Sequence, residues 1–162
     1  MSTSQVETNK AIIRRLIDAH NRQDAAGAAR FFAPAATNHG RVEGSSGMER
    51  VYRDLYVTFP DYHWEIQALL GEDDWVAVYV RHTGTHLGTP ELPVFGGLIH
   101  DLAPTEKSIS VSNIHMYQLR EGLVIKHLAV RDDLGMMQQL GLLPKTQHAV
   151  GDMSRPVVQA KG

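Results

Sequence analysis

Two adjacent acidic residues, Asp132 and Asp133, follow a strand-like segment and offer a carboxylate for acid/base chemistry. Because the side chains of a strand alternate between its faces, Asp132 is expected to share a face with Leu128 and Val130. A carboxylate at the end of an apolar stripe is partly desolvated, which disfavours its charged form and suits it to take up a proton near neutral pH. The alternative is that one of the two aspartates caps the helix predicted to follow. The spacing makes Asp132 a candidate catalytic residue and leaves the capping role open.

His115 and Asn113 lie on the preceding strand-like segment and are the next candidates. If residues 121–122 form a two-residue turn, counting back along the strands pairs His115 with Leu128. Under that register Asn113, His115 and Asp132 face one surface. A histidine there could donate a hydrogen bond to a developing enolate oxygen. A one-residue slip would separate the three side chains, and a satisfied polar pair within the sheet is the alternative role for Asn113 and His115.

Further aromatic and histidine side chains could line a pocket. Tyr52, on a predicted helix, and Trp64 and Tyr79, on predicted strands, could wall a site for a flat ligand, although core packing is the more common role of such residues. His82 and His86 are four residues apart, which on a strand is roughly 13 Å. They therefore cannot share a metal ion there, and His82 is instead a candidate for substrate binding.

The secondary-structure elements that must position these residues follow from the spacing of apolar residues, which changes from a helical to a strand pattern near residue 61. Apolar residues recur at spacings of three and four before that point and alternate after it. The predicted helices span residues 6–22, 25–32 and 46–59, and the predicted strands start at residues 61, 75, 107 and 123. A Gly- and Pro-rich loop over residues 88–106 has the length of a lid or binding segment. Three helices followed by a curved antiparallel four-strand sheet predict an α+β fold that encloses a cavity.

Composition and charge narrow the class of protein. The chain has 162 residues, 43% of them hydrophobic and 21% charged, as expected for one globular domain. A net charge of −2 without a basic tract predicts no nucleic-acid partner, and no apolar run approaches the roughly 20 residues of a membrane span. There is no cysteine, which excludes thiolate chemistry. We expect a cytoplasmic domain over residues 6–143, with a disordered N-terminus (1–5) and a C-terminal tail (144–162).

Four stretches of the sequence resemble one known family. The run VIKHLAVRDDLGMMQQLG, residues 124–141, resembles the C-terminal signature of the SnoaL-like polyketide cyclases, also called the ester cyclase family. Residues 81–88, RHTGTHLG, resemble the central Gly-Thr-His-x-Gly stretch of that family, and residues 104–107, PTEK, resemble its Pro-Thr-Gly-Lys. Asn38-His39-Gly40, after the second helix, also matches. The resemblance covers about residues 8–143 and implies an NTF2-like α+β cone.

The resemblance also implies a function. Characterised cyclases of this family close a ring of a polyketide ester by intramolecular aldol condensation, with no metal and no organic cofactor. Asp132 matches the aspartate that serves as their general acid/base. His115 and Asn113 are the nearest matches to residues that bind or orient the substrate, and His39 matches a polar residue at the pocket edge. The expected partner is a small hydrophobic or aromatic substrate.

Three departures from the family pattern bear on the substrate. Leu128 stands where a tryptophan usually precedes the aspartate by four residues, and Glu106 replaces the glycine of Pro-Thr-Gly-Lys. The loop from Thr89 to Ala103 is also longer than the family pattern predicts. Leu128 is expected to alter the pocket wall beside the catalytic position, and the loop is expected to alter the mouth of the pocket.

Two other functions fit the same residues. Another enzyme on the same cone could use one carboxylate for isomerisation, hydration, dehydration or epoxide opening. A non-enzymatic ligand-binding or dimerising module would use Asp132 as a helix cap and His115 as a structural residue, and a cavity filled by aromatic side chains would favour it. Apolar positions from Trp75 to Tyr79 on the exposed sheet face predict a homodimer or higher oligomer formed through the sheet.

Overall fold

Four α-helices and six β-strands make up residues 3–144, the part of the chain that the computed structural model describes. The helices are α1 (Thr3–Asn21), α2 (Ala25–Ala29), α3 (Gly44–Thr58) and α4 (Asp133–Gln139). The strands are β1 (Phe32–Asn38), β2 (Arg41–Val42), β3 (His63–Glu72), β4 (Trp75–Thr85), β5 (Ser108–Arg120) and β6 (Leu123–Arg131). Because α1 begins at Thr3, residues 3–5 are helical rather than disordered, whereas residues 1–2 and the predicted tail from residue 145 onward lie outside the described residues.

All six strands of this region form one sheet in the order β2-β1-β6-β5-β4-β3. Strands β3 to β6 are antiparallel neighbours, which confirms the predicted four-strand core of an α+β fold. The sequence did not predict β1, which pairs parallel with β6, or β2 at the edge. The helix predicted over residues 25–32 ends at Ala29, and Pro34 lies inside β1. Pro34 is tolerated because the pairing of β1 with β6 is irregular there.

The helices cover one face of the sheet, here called the inner face. The apolar stripe of α1 packs against β3 and β4, with Ile13 and Leu16 fully buried. Asp24 caps α2, since its carboxylate accepts a 2.8 Å hydrogen bond from the amide nitrogen of Gly27. A Cβ atom at Gly27 would lie 2.0 Å from the Asp24 carboxylate, so this capped turn requires glycine.

The β5–β6 hairpin decides which side chains reach the inner face. Its turn has two residues, 121–122, both at positive φ, as predicted. A β-bulge at Ile125 then adds one residue to β6, so that the register shifts by one. His115 therefore pairs with Ala129, and the predicted pairing with Leu128 is wrong.

The shift exchanges the two faces along the rest of β6. His127 and Ala129 point inward and help to line the cavity described below. Leu128 and Val130 point outward and are 37% and 77% exposed. Because Asp132 follows the same alternation, it leaves the sheet on the outer side.

The outer face of the sheet carries an apolar patch that is uncovered within residues 3–144. It presents two cross-strand rows of side chains, Tyr79–Ile114–Val130 and Met116–Leu128, which together form what we call the outer patch. Each of these side chains is 37% to 77% exposed. None of the helices in this region is long and apolar enough to cross a membrane.

Candidate active site

A cavity of about 800 Å³ lies between the inner face of the sheet, α3 and the loop that follows β4. Met48, Tyr52 and Leu55 from α3 and residues 92–96 of the loop supply most of its apolar wall. The sheet and the segments beside it supply the polar wall. Its aromatic and amide members are Asn38, His39, Tyr62, Trp64, His82, His115 and His127.

His82 is held by two polar neighbours on one side of its ring. Its Nδ1 lies 2.6 Å from the hydroxyl oxygen of Tyr62 and 2.9 Å from Nδ2 of Asn113. Asn113 is itself anchored, because its Oδ1 accepts a 3.1 Å hydrogen bond from the amide nitrogen of Asp132. The ring also stacks on Trp64, with centroids 4.5 Å apart. The Nε2 atom of His82 is buried and has no hydrogen-bond partner within residues 3–144.

A second chain of hydrogen bonds runs from β1 through β6 to β5. Oδ1 of Asn38 lies 2.9 Å from Nδ1 of His127, and Nε2 of His127 lies 2.9 Å from Nδ1 of His115. The two imidazole rings are nearly parallel, with an interplanar angle of 7°. Nε2 of His115, at the end of this chain, is buried and likewise lacks a partner among the described residues.

These buried imidazoles are neutral at physiological pH. Burial, with smaller contributions from nearby His20 and then Arg131, lowers the pKa of His82 to about 3. Burial and the proximity of His39 lower the pKa of His127 to about 3. Burial and the neighbouring imidazoles hold the pKa of His115 well below its ordinary value. Each ring therefore carries one proton, and its two nitrogens differ in what they offer a ligand.

An ion pair with Arg131 fixes Asp133, the aspartate found among the described residues that line the cavity. The Asp133 carboxylate accepts two hydrogen bonds from Arg131, at 3.0 Å from Nε and 3.1 Å from Nη2. Both side chains line the cavity and are partly buried. A bidentate contact fixes the direction of a carboxylate as well as its charge. Asp133 is thus presented to the cavity in one orientation.

Asp132, the sequence-predicted acid/base residue, lies elsewhere. Its side chain is exposed and accepts a 2.8 Å hydrogen bond from the amide nitrogen of Gly135, which makes it the N-cap of α4. A Cβ atom at Gly135 would lie 2.2 Å from this carboxylate, the same crowding found at Gly27 beside Asp24. The predicted surface shared by His115, Asn113 and Asp132 is therefore wrong, because the bulge moves Asp132 out of it.

Two predicted substrate-binding residues are also on the outer side. Tyr79 is 42% exposed, and its hydroxyl donates to Ser112 rather than facing the cavity. Leu128 belongs to the outer patch, so its difference from the family's tryptophan does not alter the cavity wall. Both corrections follow from strand alternation. Tyr79 alternates with the inward-facing valines of β4, and Leu128 is turned outward by the bulge.

The remaining predicted residues converge. Tyr52, Trp64, His82 and His115 line the cavity, and His39 lies at its exposed rim with a positive φ of 49°. Asn113 faces inward behind His82 and reaches the cavity through that ring.

Sequence reasoning missed three further members of the wall, Tyr62, His127 and the Arg131–Asp133 pair. His127 and the Arg131–Asp133 pair could have been found from strand alternation, because residues 127, 129, 131 and 133 lie on the same face of β6. The sequence-based prediction had assigned the other set of alternating residues to the inner face. No group of three or more acidic or histidine side chains within residues 3–144 is arranged to hold a metal ion.

Comparison with solved structures defines the class of fold. TsrD from Streptomyces laurentii superposes with a TM-score of 0.72 at 21% identity, covering 88% of this chain and 99% of that one. AclR from Streptomyces galilaeus gives 0.71 at 23% identity, with 86% and 99% covered. A SnoaL-like polyketide cyclase from Agrobacterium tumefaciens gives 0.66 at 19% identity, with 80% and 95% covered. At such identities these similarities show a shared fold and no more than the fold.

The sequence itself defines the family. The sequence model of the SnoaL-like polyketide cyclases matches residues 10–140, which is most of the chain. The chain therefore belongs to the SnoaL-like polyketide cyclase family, as its C-terminal signature predicted. No curated protein matches it.

Proposed function

We propose that the chain closes a ring in a polyketide-like ester by intramolecular aldol condensation, without a cofactor. The supporting observation is that one cavity with an apolar wall brings the Asp133 carboxylate together with the neutral imidazoles of His82 and His115. Membership of the cyclase family supports enzymatic ring closure, and the aldol route is the part that we infer.

In this proposal Asp133 is the general acid/base. Its carboxylate takes a proton from the carbon beside an ester or ketone carbonyl, which leaves an enolate. The enolate carbon attacks a second carbonyl of the same substrate, forming the new carbon–carbon bond and an alkoxide. The alkoxide then takes the proton back from Asp133, so the carboxylate ends the cycle in its starting state. The Asp-based chemistry expected of the family is retained, but it passes from Asp132 to its neighbour.

The two neutral imidazoles offer hydrogen bonds to the substrate, since in each ring one nitrogen is a donor and the other an acceptor. A neutral imidazole N–H can polarise a carbonyl oxygen and hold an enolate oxygen without giving up its proton. His82 and His115 each have a buried Nε2 atom that no residue among 3–144 satisfies, so a bound substrate would complete these hydrogen bonds.

The cavity wall supplies the positioning. An aldol closure requires the chain of the substrate to fold so that the enolate carbon reaches the second carbonyl. Holding the two reacting groups in contact can remove about 7 kcal/mol or more of the barrier. Apolar contacts from α3 and loop residues 92–96 are suited to fold such a chain and exclude water.

The first test measures proton abstraction without needing the natural substrate. Wild-type protein is incubated in heavy water with a series of β-keto methyl esters of increasing length, and deuterium uptake at the acidic carbon is followed by NMR. We expect Asp133→Asn to slow this exchange by about 10²–10⁴-fold, the usual contribution of a general acid/base. Asp132→Asn is the matched control, because asparagine also caps a helix well, and it should exchange at the wild-type rate.

The opposite pattern, with loss in Asp132→Asn only, would return the role to Asp132 and overturn the assignment of Asp133. Product analysis then separates ring closure from isomerisation, because both begin with the same deprotonation. Absence of exchange with every ester, together with tight binding of the esters, would favour a ligand-binding module instead.

A further inference from the structure

We propose that two amide side chains, Asn113 and Asn38, fix opposite tautomers in His82 and His115, so that Nε2 of His82 carries a proton and Nε2 of His115 carries a lone pair. The use of these tautomers in catalysis rests on the proposed function. The tautomers themselves rest only on the hydrogen-bond network.

The argument for His82 starts from the backbone. The amide nitrogen of Asp132 can only donate, so the atom of Asn113 that it meets at 3.1 Å must be the amide oxygen. The other end of Asn113, which lies 2.9 Å from Nδ1 of His82, is therefore the NH₂ group. A donor facing Nδ1 requires a lone pair on Nδ1. Since the ring is neutral, its proton is on Nε2.

Tyr62 agrees with this assignment. Its hydroxyl lies 2.6 Å from the same Nδ1, and since the Asn113 contact makes Nδ1 an acceptor, the hydroxyl donates to it. Two donors thus point at one side of the His82 ring. The Nε2–H on the other side is buried and has no partner within residues 3–144.

The series of hydrogen bonds that ends at His115 gives the opposite tautomer. Asn38 presents its amide oxygen to Nδ1 of His127, so that nitrogen carries the proton and Nε2 of His127 is an acceptor. His115 meets this acceptor through its own Nδ1, which must therefore be the protonated nitrogen. Nε2 of His115 then carries a lone pair. The sequence-based expectation that His115 donates to the enolate is reversed, and the donor is His82.

This donor–acceptor pair defines a class of substrate. The ring centroids of His82 and His115 are 5.3 Å apart. Nε2 of His82 has an N–H, and Nε2 of His115 has a lone pair. The enol form of a 1,3-dicarbonyl compound carries the complementary groups, a carbonyl oxygen and a hydroxyl hydrogen, on two carbons that are separated by one carbon atom. The geometry thus favours a 1,3-dicarbonyl unit over an isolated ketone, with Asn113 and Asn38 acting as positioning residues behind the two rings.

Imidazole-nitrogen NMR of the full chain at pH 7 tests the tautomers directly. In the wild type we expect Nδ1 of His82 and Nε2 of His115 to show unprotonated shifts, and their partner nitrogens to show protonated shifts. A protonated Nδ1 in His82, or a protonated Nε2 in His115, would overturn the proposal without any variant having to fold.

Matched substitutions at the two amides sharpen the test. Asn113→Asp keeps an acceptor for the Asp132 amide but replaces the NH₂ group by an oxygen, so Nδ1 of His82 should become protonated. Asn38→Asp keeps an acceptor in front of His127, so the protonation of both His127 and His115 should stay as in the wild type. Tyr62→Phe removes one donor from His82 but leaves Asn113 in place, so Nδ1 should remain unprotonated. Identical responses of His82 and His115 to the two aspartate variants would contradict the proposal.

Deuterium exchange then separates this proposal from the function on which it rests. If the tautomers are found as expected and a 1,3-dicarbonyl ester exchanges at least tenfold faster than the matched simple ketone, after correction for their uncatalysed rates, both are supported. Expected tautomers with no catalysed exchange would refute the proposed function and leave the tautomers standing. Catalysed exchange with reversed tautomers would refute the present inference alone.

Discussion

On strands β4, β5 and β6 the inner face buries polar side chains among its apolar ones, and the outer face exposes apolar side chains. The buried inner face holds polar rings and an amide, His82, Asn113, His115 and His127, whereas the outer patch is apolar and exposed. Burying polar side chains is costly unless they are hydrogen-bonded, and here each has at least one partner. The inner face therefore buries a hydrogen-bonded polar cluster, whereas the outer patch leaves apolar side chains exposed.

The first prediction concerns acid, where we expect the largest effect. Burial lowers the pKa of His20, His82 and His127 from 6.5 to about 3. As the pH falls below 6.5 the unfolded chain binds these protons and the native state does not, so stability present above pH 6.5 is lost toward pH 3. Three such groups remove about 4 kcal/mol per pH unit, which is a large part of a typical unfolding free energy. Urea unfolding followed by circular dichroism should show a midpoint that falls steeply between pH 7.5 and pH 5.

His20 provides the control for this prediction, because it is buried in α1 and is not part of the cavity wall. His20→Gln should reduce the pH dependence by about one proton, whatever it does to the midpoint at pH 7.5. A midpoint that stays constant from pH 7.5 to pH 5 would mean that the inner-face imidazoles are accessible to protons.

The second prediction concerns the outer patch. We expect a second copy of the chain to cover it, because exposed apolar rows that continue over three neighbouring strands are typical of a sheet-to-sheet interface. Val130→Glu would place an unpaired charge in that interface, at a cost of about 3 kcal/mol, or more than a hundredfold in the dissociation constant. Light scattering during size exclusion should show a dimer for the wild type and a monomer for this variant.

Leu134→Glu is the matched control, since Leu134 is also exposed and apolar but lies on α4, away from the patch. If both variants keep the mass of the wild type at low micromolar concentration, the patch is not the dimer interface. A wild type that is itself monomeric would contradict the predicted homodimer.

The contrast between the faces also explains how far the sequence could lead. The turn at residues 121–122 is local, so residue types alone predicted it. The bulge at Ile125 is not visible in residue types, because polar and apolar side chains are mixed on both sides of β6 and either phase satisfies the pattern. Because this bulge was not recognised, the sequence-based prediction placed Asp132 instead of Asp133 on the inner face and did not include His127 in the site.

The fold was more predictable than the site for the same reason. Periodicity is averaged over many residues, so the order of helices and the four long strands survived local errors. Strand β1 was hidden because Pro34 is read as a helix terminator, and only its pairing with β6 makes it a strand. A site depends on the direction of single side chains, and one shift of register reverses all of them.

The last prediction compares the two aspartate caps and is the smallest in energy. Asp24→Ala and Asp132→Ala each remove a carboxylate that accepts one amide hydrogen bond at 2.8 Å, and each should cost about 1 kcal/mol. In a domain of this size that lowers the melting temperature by a few degrees. If Asp132 is only a cap, the two variants should lose similar stability and catalyse deuterium exchange like the wild type at 25 °C. A variant at Asp132 that melts like the Asp24 variant but no longer exchanges would assign it a second role. A residue on the outer side of the sheet, at the start of α4, would then take part in the chemistry of the inner face.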